Sequence, residues 1–256
     1  MAFLSKITTR AQKLARYIER PDLWRLRQQG LAVDAYLQLD REWLRSLRIA
    51  TVLDVGANVG QFAGIAHAVW PSASIFSFEP LPDCFDQLKA QMQNCPKFTA
   101  FNIALGDQAG DLSFERNAFS ASSSFLKMAD LHKTNYPHTS ESKVVSVRVE
   151  RLDDKARELA LEHPMFVKID VQGYENRVLL GGEQTIRRAS ALLIETSFEP
   201  LYEGQPLFGD LHRMLVGWGF RFAGAISQEL SPIDGRILQA DSLFVQQSAN
   251  NFAPRR

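Results

Sequence analysis

Cysteine is scarce in this sequence, and so is any surplus of charge. The two cysteines, Cys84 and Cys95, fall within or just after one predicted helix. No secretory hydrophobic segment or membrane-spanning apolar run precedes them, so the expectation is a reduced, cytoplasmic protein with two buried structural thiols rather than a disulfide framework. Lys plus Arg and Asp plus Glu number 29 each, and a balanced chain has no overall field to draw in nucleic acid or an anionic membrane. Internal repeats and low-complexity tracts are missing too. The five histidines, His67, His132, His138, His163 and His212, are scattered without ligand spacing, which speaks against a histidine metal site.

What is present is a chain of 256 residues with 45% hydrophobic content, enough for one large domain with a sizeable core. Residues 1–48 read as a helical extension. Phe3, Leu4, Ile7, Leu14, Tyr17 and Ile18 recur at helical spacing with Lys6, Arg10, Lys13, Arg16 and Arg20 between them. Such a basic amphipathic face suits packing on the domain or on a second subunit of a homodimer, and less readily peripheral contact with a membrane or a lipid-linked substrate through residues 1–20. A further helix is expected over 34–47.

From residue 49 to about 250, strand and helix patterns alternate, the signature of a parallel sheet covered on both faces. Strands are expected at 51–55, 74–78, 98–103, 165–171 and 191–195, and a final pair at 220–225 and 242–246. Helices fall at 61–69, 81–93, 152–161, 175–181 and 208–216. Residues 111–115 and 143–149 alternate apolar and polar positions as an antiparallel insertion. The stretch between them, 116–142, has the look of a binding loop.

The organising stretch is 52–62. A buried strand ends in Asp54-Val55, turns through Gly56-Ala57-Asn58-Val59-Gly60, and restarts as a helix at Gln61-Phe62. Glycines let the backbone approach a ligand, and the new helix aims free N–H groups at it. A dinucleotide site would want glycine where Asn58 stands, which argues against NAD or FAD. Asp54 instead suits a cationic amino group such as that of S-adenosylmethionine. Glu79, followed by Pro80, ends the second strand about twenty residues on, where an acid can accept from ribose hydroxyls. Ala104 and Leu105, after the third strand, suit an adenine ring, and Ser123 in the Ser122–Ser124 cluster suits cofactor or acceptor. A plain hairpin turn explains Gly106-Asp107 equally well.

Lys168 and Asp170 place two charges on one face of a buried strand, and charges are rarely buried unless paired or functional. With Glu195 at the end of the next strand they form the candidate catalytic set, Asp170 as base or orienter and Lys168 as its electrostatic partner. A structural ion pair is the competing reading. A divalent cation held by Asp170, Glu175 and Glu195 is a further reading, one that the sequence does not favour.

In this order, the stretch 52–62, Phe78-Glu79-Pro80, 102–107, the Ser122–Ser124 cluster, Leu152-Asp153-Asp154 and 168–175 resemble the motifs of the FkbM family of S-adenosylmethionine-dependent methyltransferases, over about 51–245. The resemblance implies an α/β, doubly wound class I (Rossmann-like) methyltransferase sheet of seven strands, the last antiparallel. It also implies a donor over the ends of strands one, two and four, and methyl transfer to a hydroxyl of a sugar or natural product. Asp54, Gly56, Asn58 and Gly60 match its donor turn, Glu79 its ribose acid, and Lys168, Asp170, Gly173 and Glu175 its central block. Gln172 stands where many members carry Glu. The expected acceptor is a hydroxyl-bearing small molecule or glycan, not nucleic acid. The rivals are N- or carboxyl-methylation of a small metabolite and a non-catalytic nucleotide-binding module.

Overall fold

The computed structural model describes residues 17–139 and 141–247. The basic helix expected over 1–20 therefore lies almost wholly outside the described residues. Among the described residues, 17–19 are helical, and the short helices α1 (Asp22–Gln28), α2 (Val33–Leu39) and α3 (Glu42–Arg45) follow before the sheet. The single helix expected over 34–47 is broken at Asp40, whose carboxylate is held by both Arg20 and Arg45. Ion pairing to two sides takes the place of another helical turn.

Seven strands form the main sheet. They are β1 (Thr51–Val55), β2 (Ser74–Phe78), β3 (Phe98–Phe101), β7 (Met165–Ile169), β8 (Ala191–Ser197), β9 (Phe220–Leu230) and β10 (Ile237–Gln246), in the order β3-β2-β1-β7-β8-β10-β9. The first five in that order run parallel; β10 is antiparallel to both β8 and β9. All five residues of β1 and of β7 are buried, as the central strands of a sheet covered on both faces must be.

Period-two alternation sorts their side chains. Val52 and Phe166 enter one core with the N-terminal helices, the helix Gln61–Val69 and Trp70. Leu53, Val55, Val167 and Ile169 enter the other, with the helices Glu175–Gly181 and Phe208–Gly217. Asp54 and Lys168 are register neighbours on adjacent strands and share the first of these faces. Gly64 packs there so closely that a Cβ would come within 2.5 Å of Leu31.

Strand order reverses between β1 and β7, the switch point at which open α/β sheets bind ligands beyond their carboxyl ends. A second, three-stranded sheet stands beside it. There β5 (Gly110–Asn117) runs antiparallel to β6 (Ser142–Glu150), as expected, and β4 (Ala104–Leu105), just before the turn expected at Gly106-Asp107 and not expected as a strand, joins β6 in parallel.

The stretch after β5 is not patternless. It carries the helix Asp130–Asn135 and single turns at Ser120–Ser122 and Pro137–Thr139. Its buried residues include the polar His132, Asn135 and Thr139, so no apolar period marks it: Thr139 pairs with His132 Nε2 and accepts on its carbonyl from Asn117, and Asn135 donates to the Leu131 carbonyl and accepts from Ser231. Leu126, Met128, Leu131 and Tyr136 anchor it on Leu201, Tyr202 and Leu238. The last two strands run longer than expected because β9 is largely exposed after Phe222 and is held by backbone pairing to β10. Among the described residues no helix is long and apolar enough to cross a membrane.

Candidate active site

Three strand ends converge at the switch point. Beyond β1, Gly56 adopts φ +76°, and a Cβ there would lie 1.9 Å from the carbonyl oxygen of Asp170 on the neighbouring chain segment. The glycine is thus demanded by strand packing before any ligand is considered. The amides of Gly56 and Ala57 both donate to the Phe78 carbonyl, which ties the turn to β2. Asn58 is left-handed at φ +47°, a region asparagine tolerates. Its amide donates to Glu79 Oε2 at 2.8 Å, and Leu81 N donates to Glu79 Oε1 at 2.8 Å. Glu79 is 5% exposed, and burial pushes its carboxyl up to about 7 against those two hydrogen bonds.

Beneath the turn lies a buried charge layer. Lys168 Nζ donates to the Gly56 carbonyl at 3.0 Å and stands 3.3 Å from Asp170 and 3.7 Å from Asp54. Burial works against the ammonium, but Asp170, Asp54 and Asp241 hold its pKa above the ordinary lysine value. Burial pushes the Asp54 carboxyl up, opposed by Lys168 and by the Ser77 hydroxyl, which donates to it at 3.1 Å. Lys168, expected among the catalytic residues, therefore sits under the site and not on its wall. Asp54 lies in the same layer, and Phe62 stacks on Phe166 with the Lys168 ammonium 5.8 Å from its ring. Ala57 and Gly60 also lie outside the cavity wall; Gly60 caps the helix Gln61–Val69 at φ +95°.

Above this layer opens a cavity of about 460 Å³. Its wall includes Gly56, Asn58, Glu79, Pro80, Ala104 and Leu105 at one end, all of them expected donor residues. Ser123 lines it as well, its hydroxyl accepting from Asn117 N at 2.9 Å. Phe78, Leu81, Phe114 and Phe125 make that end apolar. Asp170 stands in the wall with Glu195, Gln239 and Glu229 beyond it.

The two central carboxylates are not equivalent. Asp170 has both oxygens engaged, Oδ2 by Lys168 and Oδ1 by the side-chain amide of Gln172 at 2.9 Å. Glu195 receives Gln172 Nε2 at 2.9 Å and Gln239 Nε2 at 2.8 Å, both on Oε2. Burial, then the charges of Asp170 and Glu175, raise the Glu195 carboxyl well above the ordinary range. Tyr202 donates to Gln172 Oε1 at 3.0 Å, and Ser124 Oγ donates to the Gln172 carbonyl at 2.6 Å, fastening the loop to this bridge. Glu175, once a candidate metal ligand, instead accepts from the amides of Val171 and Gly173 and closes the turn before its own helix. Among the described residues no group of three or more His, Cys, Asp or Glu is arranged to hold a metal ion.

Gln239, Glu229 and Tyr136 were not among the residues expected at the site, Gln172 was expected only as a departure from the family pattern, and His132 only as a scattered histidine. Gln172 carried a faint signal, lying before Gly173 at a turn that needs left-handed backbone, with φ +53°. Gln239 and Glu229 had none, being polar residues of a hairpin.

A parallel sheet of this order with an antiparallel last pair and a cavity at the switch point is the class I methyltransferase fold. Residues 54–222 match the Methyltransferase FkbM domain, and the chain belongs to that family. It is 29% identical to the 2-O-methyltransferase NoeI of Sinorhizobium fredii, over 60% of this chain and 66% of that protein. It is also 29% identical to the hexuronic acid methyltransferase AglP of Haloferax volcanii, over 56% of this chain and 54% of that one, so the matches span between half and two thirds of those relatives. With the 31-O-demethyl-FK506 methyltransferase FkbM of Streptomyces tacrolimicus it shares 27% identity over 80% of each. Among solved structures, Aeropyrum pernix fibrillarin with bound S-adenosylmethionine is similar over 83% of this chain and 73% of that one, at 14% identity and a TM-score of 0.47.

Proposed function

We propose that this chain, through a domain spanning about 49–250, transfers a methyl group from S-adenosylmethionine to a hydroxyl oxygen of a sugar. The observation that carries the reading is the single cavity that joins the Gly56–Glu79 turn to the Asp170–Glu195 pair. The wall has the right chemistry for the donor. Glu79 offers a buried carboxylate to a ribose diol, Ala104, Leu105 and Phe78 an apolar bed for a purine, and Asp170 a negative charge for a cationic centre. The bound donor supplies a methyl group already activated on sulfur.

The protein's own work is alignment and proton removal. Asp170, clamped on both oxygens, orients; Glu195, with its two amides on one oxygen and a raised proton affinity, receives the hydroxyl proton as the new oxygen–carbon bond forms. The names of the NoeI and AglP relatives support a sugar acceptor.

Calorimetry with S-adenosylmethionine, S-adenosylhomocysteine and NAD tests the donor: saturable binding of the first two and none of NAD is expected, and no binding of either sulfur ligand would end the reading. Tritiated donor with a sugar panel then tests transfer. With donor affinity intact, Glu195→Gln is expected to lower kcat by about 100-fold or more, in the range of a lost general base. A wild-type rate in that variant would remove Glu195 from the role.

A further inference from the structure

We infer that the acceptor carries a protonated amino group beside its hydroxyls, so that this site takes an amino sugar or a similar amino polyol and rejects anionic sugars. The inference rests on the methyl-transfer reading and specifies its second substrate.

Charge is the first observation. Four carboxylates line the cavity, Glu79, Asp170, Glu195 and Glu229, and among the described residues no lysine or arginine does. Lys168, the cation nearest the pair, is held under the floor by the Gly56 carbonyl, Asp54 and Asp170 and does not reach the wall. The side-chain amides of Gln172 and Gln239 already donate to Asp170 and Glu195 and are not turned to an anion. A uronate or phosphate would enter beside carboxylates with no cationic partner, and an unpaired charge in such a site is expensive.

Aromatic rings are the second, independent observation. Beyond Glu195 the wall is built from Phe119, His132, Tyr136 and His138, together with the exposed Glu229. Phe119 packs edge-on to His138, and Tyr136 packs edge-on to both His132 and His138. His132 stays neutral, burial pulling it down to about 4, and its Nε2 is taken by Thr139. Aromatic faces and carboxylates, with no lysine or arginine and a neutral His132 among them, receive an ammonium, through ion pairing and the ring quadrupole. A neutral sugar would leave the Glu195 and Glu229 end of the wall without a cation, and an anionic one would bring a further negative charge to it. The relative named for hexuronic acid methylation therefore does not prescribe this chain's acceptor.

The test uses the full chain saturated with S-adenosylhomocysteine at pH 7. Glucosamine, N-acetylglucosamine, glucose, glucuronate and glucose 6-phosphate are titrated calorimetrically, and the same set is offered to tritiated donor. Glucosamine is expected to bind about tenfold or more tighter than N-acetylglucosamine or glucose, with no measurable binding of the two anions. Glu229→Gln should shrink that amine preference to less than about threefold while donor binding stays unchanged. The proposal falls if glucuronate or glucose 6-phosphate matches glucosamine, if acetylating the amine has no effect, or if S-adenosylhomocysteine binds and no amine-bearing sugar does. Failure to bind S-adenosylhomocysteine would instead strike the methyl-transfer reading.

Discussion

The side-chain nitrogen of Gln172 lies 2.9 Å from Glu195 Oε2, and the same nitrogen lies 2.9 Å from Asp170 Oδ1. One neutral amide thereby separates two carboxylates that would otherwise repel across the site. Gln172→Glu is nearly isosteric but puts a third acid between them. Like charges disfavour ionisation, so the proton affinity of Glu195, already raised, should rise further. The acid limb of the rate profile is expected to move up by about one pH unit or more, with donor binding retained. An unmoved limb would mean that the bridge does not tune the base.

Lys168 is the one ammonium among Asp54, Asp170 and Asp241. Replacing it with Met leaves buried carboxylates uncompensated, and removing one partner of such a pair typically costs about 3–5 kcal/mol. Urea denaturation of Lys168→Met at pH 7 should show a loss of that order. A loss under about 1 kcal/mol would show that the layer is already neutralised by protonation.

Gly56 and Gly60 both have positive φ, but only at Gly56 does the missing Cβ face backbone, 1.9 Å from the Asp170 carbonyl oxygen; at Gly60 it would meet the flexible end of Leu88 at 3.0 Å. Gly60→Ala is expected to cost about 1–2 kcal/mol, from the left-handed backbone alone. Gly56→Ala should cost about 2–5 kcal/mol, strain and overpacking together. Thermal melting of the two variants without ligand decides it: equal losses would contradict the strand-packing origin of this glycine.

Glu79 gives stability a pH slope of known sign. Its folded pKa of about 7 lies above the ordinary 4.5, so the neutral carboxyl's contribution is fully present below pH 4.5 and fades as pH rises through about 7. Glu79→Gln removes that titration. Denaturation midpoints measured from pH 4.5 to 8 should fall less steeply in the variant than in the wild-type chain. A slope unchanged by the substitution would show that this carboxyl is not the group that loses its proton there.

Strand and helix placement was legible wherever burial was two-sided or strongly one-sided. The strands Thr51–Val55 and Ser74–Phe78 and the helices Gln61–Val69 and Glu175–Gly181 fall where the apolar pattern puts them. The pattern failed where hydrogen bonds, not apolar burial, hold the chain. Ala104–Leu105 is a strand because β6 pairs with it, and Asp130–Asn135 is a helix on a loop whose buried side chains are largely polar. The pair Asp170 and Glu195 stood out as acids at the ends of buried strands, which local sequence can show.

By itself, then, the sequence determined the parallel sheet, the glycine turn and the acids at strand ends, because each follows from local period, turn geometry and the rarity of buried charge. Only the tertiary structure decided which of those residues meet in one cavity. It sent Lys168 and Asp54 beneath the floor by strand register, brought Gln172, Gln239 and Glu229 to the wall from segments with no pattern of their own, and set Tyr202 behind Gln172. A side chain's neighbours across a sheet are set by pairing register and by loops folding back over it, and neither is written within the reach of a few residues.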